Sequence, residues 1–135
     1  PKYKNMIMTV RPEEQEDAVP IAKRFEALGY RIYATRGTAN TLKEHGVKVI
    51  RTNKLEQPAP NLMDLILGHK LDVVIDIPSQ GVEHQKDGFV IRRNAIETGV
   101  NVLTSLDTAE ALVTSLENTD ANKLSLIDIA TIARR

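Results

Sequence analysis

Short runs of β-branched and other apolar residues alternate along the chain with longer stretches in which apolar residues recur every three or four positions. The first run covers residues 6–10. The stretch that follows, residues 13–28, has one apolar face, formed by Ala18, Ile21, Ala22, Phe25 and Leu28. Strands that alternate with helices in this way are typical of a parallel sheet that is covered on both faces. The pattern therefore predicts an α/β fold, a three-layer αβα arrangement with a five-stranded parallel sheet.

The later elements follow the same alternation. Further strands are predicted at 30–34, 47–50, 71–75 and 100–103, and further helices after residue 38, at 62–68, at 89–97 and at 108–116. Residues 78–87 are polar and have no period, which predicts a loop. Pro20 removes a backbone donor inside the first helix, so we expect that helix to start late or to bend near Asp17. Asp107 and Glu110 have the spacing of a capping box and mark the start of the last helix.

These elements predict one domain over residues 1–117, followed by a tail over residues 118–135. The tail has more apolar residues than one helical stripe needs, so we expect a helix that packs on this domain or on a partner. The chain opens with Pro1 rather than Met, which favours a piece cut from a longer polypeptide. Removal of Met before Pro is the alternative.

Charge and residue content exclude several classes of function. The 18 basic and 18 acidic side chains cancel, so we predict no nucleic-acid partner and no membrane partner. Cysteine is absent, which excludes thiolate catalysis and fits a cytoplasmic location, and no apolar run is long enough to span a bilayer. His45, His69 and His84 lie on separate predicted elements without ligand spacing, so no metal site is predicted. The Gly-rich phosphate-loop and dinucleotide-binding motifs are absent as well.

One loop has the residues of an anion site. Thr35, Arg36, Gly37 and Thr38 follow the second predicted strand and lead into a helix. The two hydroxyls can donate to a phosphate or carboxylate, Gly37 lets backbone amides approach it, and a helix start adds about half a positive charge. The same residues also make an ordinary helix cap, and the two interpretations are about equally good.

Other candidates lie beyond the carboxyl ends of neighbouring strands, where open parallel sheets bind their ligands. Ser79 and Gly81 belong to the loop that we predict after the fourth strand, together with Asp76. A carboxylate at Asp76 opposes a bound phosphate unless a cation offsets it. Lys54 follows the third strand and Arg92 lies on the next helix, where each is a candidate cation. Thr9, near the end of the first strand, completes the predicted effector-binding set.

Five stretches, at 34–39, 51–54, 72–76, 87–95 and 101–105, together resemble the methylglyoxal-synthase-like domain, a Rossmann-type fold found at the C-terminus of carbamoyl-phosphate synthetase large chains. The most specific combination is Thr-Arg-Gly-Thr at 35–38, Val-Ile-Arg-Arg at 90–93 and Leu-Thr-Ser at 103–105. The likeness covers residues 5–117. It implies a non-catalytic regulatory domain that binds a small anionic effector such as UMP or IMP. By this resemblance the effector phosphate lies on Thr35, Gly37 and Thr38, with help from Lys54.

The resemblance also implies the partners of the domain. These are the remaining domains of the large chain and its glutaminase small chain, with a second copy of the chain as a further candidate. ATP and Mg²⁺ or Mn²⁺ are expected only in the parent chain, and no cofactor is expected in this domain. The parent would be an ATP-dependent, glutamine-hydrolysing ligase that serves pyrimidine or arginine biosynthesis.

The sequence departs from the family pattern at the expected phosphate site. The lysine that nucleotide-responsive relatives have in the first helix is replaced by Gln15, and an acid, Asp76, stands where they have a neutral amide. Two alternatives therefore remain open. One is an effector-unresponsive domain with a structural or assembly role. The other is a free-standing phosphate lyase of the methylglyoxal-synthase type, although residues 57–61 have no carboxylate and Asp64 follows one helical turn late.

Overall fold

Five parallel strands form one sheet at the centre of the molecule. The computed structural model describes residues 4–53, 61–68, 71–79 and 82–133, with side chains for all of these except 82–89 and 120–133. The strands are β1 (Lys4–Val10), β2 (Tyr30–Ala34), β3 (Val49–Arg51), β4 (Val73–Ile77) and β5 (Asn101–Leu103), in the spatial order β3-β2-β1-β4-β5. The predicted α/β class with a five-stranded parallel sheet is confirmed.

Helices cover both faces of this sheet. They are α1 (Gln15–Ala27), α2 (Arg36–Glu44), α3 (Leu62–Gly68), α4 (Val82–Glu97) and α5 (Leu106–Ala133), and a 3-10 turn, Pro12–Glu14, precedes α1. A first core cluster joins α1, α2 and α5 to the sheet through residues such as Phe25, Leu42 and Val113. A second cluster lies on the opposite face and joins α3 and α4 to the sheet through residues such as Ile66 and Ile91. Alternate strand residues therefore point into different cores.

The first and last helices differ from their predicted bounds. Helix α1 begins at Gln15, two residues later than predicted, and continues through Pro20. Helix α5 begins at Leu106, and Ser105 caps it by accepting a hydrogen bond from the Thr108 amide (3.2 Å), so the predicted cap at Asp107 is wrong. The backbone of α5 is helical to Ala133 and passes through the predicted boundary at residue 117 without a break.

The structure differs most from the predicted elements in the region around β4. Strand β4 covers Val73–Ile77 rather than 71–75, because its residues pair with Met6–Val10 of β1. Asp76 consequently lies inside a strand and not in the loop after it. Helix α4 begins at Val82, so the predicted loop at 78–87 is wrong for most of its length. The residues at the start of α4 are mostly polar, so apolar periodicity does not predict a helix there.

The strand order reverses next to β1. From β1 the chain moves outward to β2 and β3, then returns to the other side of β1 and continues outward through β4 to β5. The crevice that open α/β sheets use for ligands is therefore expected above the carboxyl ends of β1 and β4. Among the described residues, no helix is long and apolar enough to cross a membrane.

Candidate functional site

Polar residues follow or end every strand at the carboxyl edge of the sheet. Thr9 of β1 and Asp76 of β4 are direct partners in the strand register. Thr35 comes one residue after Ala34 and Thr52 one residue after Arg51, and Ala34 and Arg51 are partners as well. The sheet thus brings Thr9, Thr35, Thr52 and Asp76 into one row across four adjacent strands.

Helix α2 starts at this edge, as the sequence predicts. Thr35 is its N-cap residue, with an extended backbone and no side-chain capping bond. Arg36 and Gly37 are exposed in the first turn. The first amides of any α-helix have no acceptor within the helix, and the helix dipole makes that end positive. The start of α2 therefore has the geometry to bind an anion.

Thr38 uses its hydroxyl inside the fold. The side chain is buried, accepts a hydrogen bond from the Val10 amide (3.0 Å) and donates one to the Val10 carbonyl (3.2 Å). Strand β2 has already ended at Ala34, so Thr38 supplies a partner for the Val10 amide, and it shares the Val10 carbonyl with the side chain of Gln15. The hydroxyl proton is directed to Val10, and Thr38 ties the end of β1 to the start of α2.

Gln15 lies over the start of α2. Its amide nitrogen donates to the Val10 carbonyl (3.0 Å), and its side-chain oxygen accepts from the hydroxyl of Thr41 (3.0 Å). A Cβ atom on Gly37 would come 3.0 Å from the same amide nitrogen. Gly37 therefore leaves room for this amide beside the first turn of α2, and Gln15 makes neutral contacts within the fold.

Asp76 is held at the point where the strand order reverses. It is only 4% exposed, and its Oδ1 accepts a hydrogen bond from the Thr9 hydroxyl (2.7 Å). The guanidinium of Arg92 on α4 lies 3.7 Å from Oδ2. A buried carboxylate is tolerated only when it is paired and hydrogen-bonded, and Thr9 and Arg92 supply such partners. Arg92 is therefore the cation that partly offsets the charge of Asp76 at the crevice.

The other predicted site residues divide between described and undescribed parts of the chain. Ser79 is partly buried just after β4. Lys54 and Gly81 lie outside the described residues. Arg92 is turned toward Asp76, whereas its neighbour Arg93 pairs with Glu97 on the surface (3.3 Å). Adjacent helical residues point about 100° apart, which predicts this division of roles.

Sequence reasoning missed three residues at this edge. Thr52 stands after β3 as Thr35 stands after β2, so a comparison of strand ends would have found it. Arg11 follows β1, where its amide bonds the Ile77 carbonyl (2.8 Å) and its guanidinium pairs with Glu14. Thr41 binds Gln15 from the second turn of α2. No sequence pattern predicts the contacts of Arg11 and Thr41, since each depends on how the elements pack.

The cations at this edge differ in how far they are compensated. Arg11 and Arg92 have carboxylate partners. Arg36 and Arg51 are exposed, and neither forms an ion pair with a residue that the structure describes. The side of the edge at β2 and β3 is therefore more positive than the side at β1 and β4. Across the described ranges, no group of three or more His, Asp and Glu side chains could hold a metal ion.

Comparison with known proteins gives consistent matches. A family model described as "MGS-like domain" matches residues 17–104. The chain is 59% identical over 133 residues (98% of its length) to the carbamoyl phosphate synthase large chain of Agathobacter rectalis. The corresponding chain of Lachnoclostridium phytofermentans is 57% identical over 132 residues. The resemblance identified from the sequence is confirmed. In both cases the match spans only 12% of the relative.

The fold is matched by a solved structure of low sequence identity. A crystal structure of ForH superposes with a TM-score of 0.62 at 18% identity, covering 88% of this chain and 82% of that one. At this identity the likeness concerns the fold alone.

Proposed function

Since the chain belongs to the MGS-like domain family, we propose that it is the regulatory domain of a carbamoyl phosphate synthase large chain and binds a small anionic effector at the carboxyl edge of its sheet. The observation that carries the first part is the 59% identity over 98% of the chain to a segment of such a large chain. The second part rests on the start of α2, which combines first-turn amides with exposed Arg36 and Gly37.

The charges at the edge support a small anion. Asp76 is offset by Arg92, while Arg36 and Arg51 remain without a described carboxylate partner. UMP and IMP, with one phosphate and a ribose, are the first candidates, and we expect the Thr35 hydroxyl to donate to the phosphate. The domain itself needs no metal or cofactor for this role. ATP, Mg²⁺ or Mn²⁺, the glutaminase small chain and the remaining large-chain domains belong to the proposed cytoplasmic parent.

A thermal-shift titration of the 135-residue chain tests effector binding. UMP, IMP, UTP, phosphoribosyl pyrophosphate, ornithine, arginine and N-acetylglutamate are added one at a time over a range of concentrations. A ligand that binds only the folded chain stabilises it by RT ln(1 + [L]/Kd), about 2.7 kcal/mol at a hundredfold excess over Kd. A midpoint that rises with one of the five anionic compounds supports the proposal, and midpoints that stay constant for all five refute it.

A second candidate function is favoured by the contact of Gln15 with Gly37. The amide already occupies the approach to α2, and its two hydrogen bonds hold it there. An effector-unresponsive domain with an assembly role in the large chain fits that contact. Such a domain gives constant midpoints in the titration, yet its removal changes the assembly state of the parent chain.

A phosphate-lyase activity receives less support from the site. Asp64 accepts a hydrogen bond from the Asn61 amide (2.8 Å), and its own amide donates to the Asn61 side chain (3.2 Å). Its carboxylate thus caps α3, which gives it a structural task at the place where such a lyase needs a general base.

A further inference from the structure

Helix α5 is about twice as long as α1, the helix on which it packs. Its 28 residues correspond to about 42 Å, against about 20 Å for the 13 residues of α1. Arg24, in the last turn of α1, donates to the hydroxyl of Thr114 (2.8 Å) and to the carboxylate of Glu117 (3.1 Å). Residues 118–133 of α5 therefore extend about 24 Å past this contact, beyond the end of α1. We call them the projecting segment.

The projecting segment leaves the domain at the amino edge of the sheet. Helix α1 connects the end of β1 to the start of β2, so it ends at that edge, and α5 reaches the same edge where Glu117 contacts Arg24. The segment contains neither Pro nor Gly, which are common causes of a sharp kink, and its backbone is helical throughout. A straight helix that points away from its domain cannot cover its own apolar residues.

The sequence of the projecting segment is that of a helix with a broad apolar face. Apolar residues occupy seven of the ten positions from 124 to 133. The three polar ones, Ser125, Asp128 and Thr131, recur every three residues and share one narrow stripe of the helix. The helical period places Leu126 opposite that stripe. A helix with such a face is stable only when protein covers it, so the segment needs a partner outside its own domain.

Two exposed apolar side chains lie at the same edge, on the opposite face of the sheet. Leu67 is 62% exposed and Ile96 is 68% exposed, and each stands one residue before the end of its helix, α3 or α4. Since α3 leads into β4 and α4 leads into β5, both helices end at the amino edge. They pack side by side over the second core cluster, with axes about 8–10 Å apart. Leu67 and Ile96 therefore form an apolar end of this layer, which we call the amino-edge patch.

The projecting segment and the amino-edge patch complement each other between two copies of the chain. Helix α5 belongs to the layer of the first core cluster, and the patch belongs to the layer of the second. A two-fold axis parallel to the sheet and perpendicular to its strands exchanges these two faces. When such an axis lies beyond the amino edge, it brings the projecting segment of each copy to the patch of the other. Both apolar surfaces are then covered in one self-complementary interface, as in the commonest type of dimer.

We infer that the projecting segment is a dimerisation element, which packs on the amino-edge patch of a second copy of this chain. The family model ends at residue 104, so this contact lies outside the part of the chain that the model matches. The inference does not depend on effector binding, because the proposed effector site lies at the opposite end of the strands.

Sedimentation equilibrium of the 135-residue chain over a range of concentrations tests the inference. We expect a mass of twice the 15.0 kDa of one chain. Leu126→Glu places a charge on the projecting segment and Leu67→Glu places one on the patch, so each should raise the Kd of the dimer about tenfold or more. Ile50→Glu is the matched control, because Ile50 is an exposed apolar residue (42%) on the edge strand β3, and its dimer Kd should stay within about twofold of the parent.

Introduced cysteines identify what the projecting segment contacts, since the chain has none of its own. Leu126→Cys and Leu67→Cys chains are mixed and oxidised, and we expect a disulfide that joins one chain of each kind, because a disulfide forms only between residues whose Cα atoms come within about 7 Å. Disulfides that join only Leu126→Cys chains to each other would mean that the segments pair with one another, and the inference would be wrong.

Two results of the sedimentation experiment would also overturn the inference. A monomer at every concentration would mean that a second copy does not cover the projecting segment. An equal increase in the dimer Kd for Ile50→Glu and Leu67→Glu would mean that the contact between copies is not specific to the amino edge.

Discussion

The side-chain amide of Gln15 rests on Gly37, with its nitrogen 3.0 Å from the point where a Cβ atom would stand. Two hydrogen bonds hold it there, one to the Val10 carbonyl and one from the Thr41 hydroxyl. A neutral amide thus lies beside the first turn of α2, at the positive end of the helix, which attracts anions. We expect this contact to affect how easily an effector reaches the first-turn amides.

The first prediction concerns the Gln15 side-chain amide beside the start of α2. Gln15→Lys replaces the neutral amide by a cation and removes the acceptor of the Thr41 hydrogen bond. A phosphate at the start of α2 then has a positively charged partner in place of the amide. We expect the affinity for UMP to rise about fivefold to tenfold, as for one charge-assisted hydrogen bond. Isothermal titration calorimetry at fixed ionic strength measures the change.

Thr41→Val serves as the matched control for that substitution. It removes the hydrogen bond to Gln15 without adding a charge. The Gln15 amide should then be held less firmly, and the affinity for UMP should rise by less than in Gln15→Lys. Equal or weaker UMP binding by Gln15→Lys would contradict the proposed role of the amide.

The second prediction concerns the buried tie between strand and helix. Thr38→Val removes both hydrogen bonds to Val10 and leaves its amide and carbonyl without that partner. We expect a loss of about 1–3 kcal/mol in the free energy of unfolding, measured by urea denaturation. Thr119→Val is the control, because Thr119 is exposed on α5 and should change stability by less than about 0.5 kcal/mol. Equal unfolding midpoints for the two variants would show that the tie contributes nothing.

Much of this architecture follows from the pattern of the sequence. Strand β2 and helix α3 have the predicted bounds, since each is a short apolar run closed by polar or glycine residues. Strand β4 is displaced by two residues because Leu71 is as apolar as the strand that follows, and only pairing with β1 fixes the register. For that reason Asp76 lies in a strand, whereas the sequence pattern predicts it in the loop that follows.

The site was predicted less completely than the fold. The Thr-Arg-Gly-Thr sequence does mark the start of α2, as expected. The sequence does not tell which hydroxyl is used inside the protein. Here the Thr38 hydroxyl bonds Val10, whereas the Thr52 hydroxyl has no partner in the part of the chain that the structure describes. That distinction depends on contacts between residues 28 positions apart, which local patterns cannot contain.

The third prediction concerns the acid stability of the contact between α1 and α5. The hydrogen bond from Arg24 lowers the pKa of Glu117 below its ordinary value of 4.5, against the effect of desolvation. A carboxyl whose pKa is lowered by folding adds stability at pH values above 4.5. That contribution is lost as the pH falls through the lowered value.

Glu117→Gln removes the titrating group, so its urea midpoint should fall less steeply below pH 4.5 than that of the parent chain. Arg24→Gln should flatten the profile in the same way, because it removes the partner that lowers the pKa. The double variant should add nothing further. Parallel profiles for the parent chain and both single variants would contradict the coupling.

The last prediction concerns the charge of Asp76. Asn is close to Asp in size and can still accept the hydrogen bond from Thr9, but it removes the negative charge from the crevice and releases Arg92 to interact with a ligand. We expect Asp76→Asn to bind UMP about five to ten times more tightly, corresponding to about 1 kcal/mol or slightly more at the effective dielectric constant of a protein surface. Asp72→Asn makes the same change of net charge before the amino end of β4, next to the Asn5 amide, and should leave the affinity unchanged. An equal gain for both variants would mean that overall charge, and not the carboxylate beside Thr9, controls binding. An unchanged or weaker affinity for Asp76→Asn would show that the carboxylate does not oppose the effector phosphate.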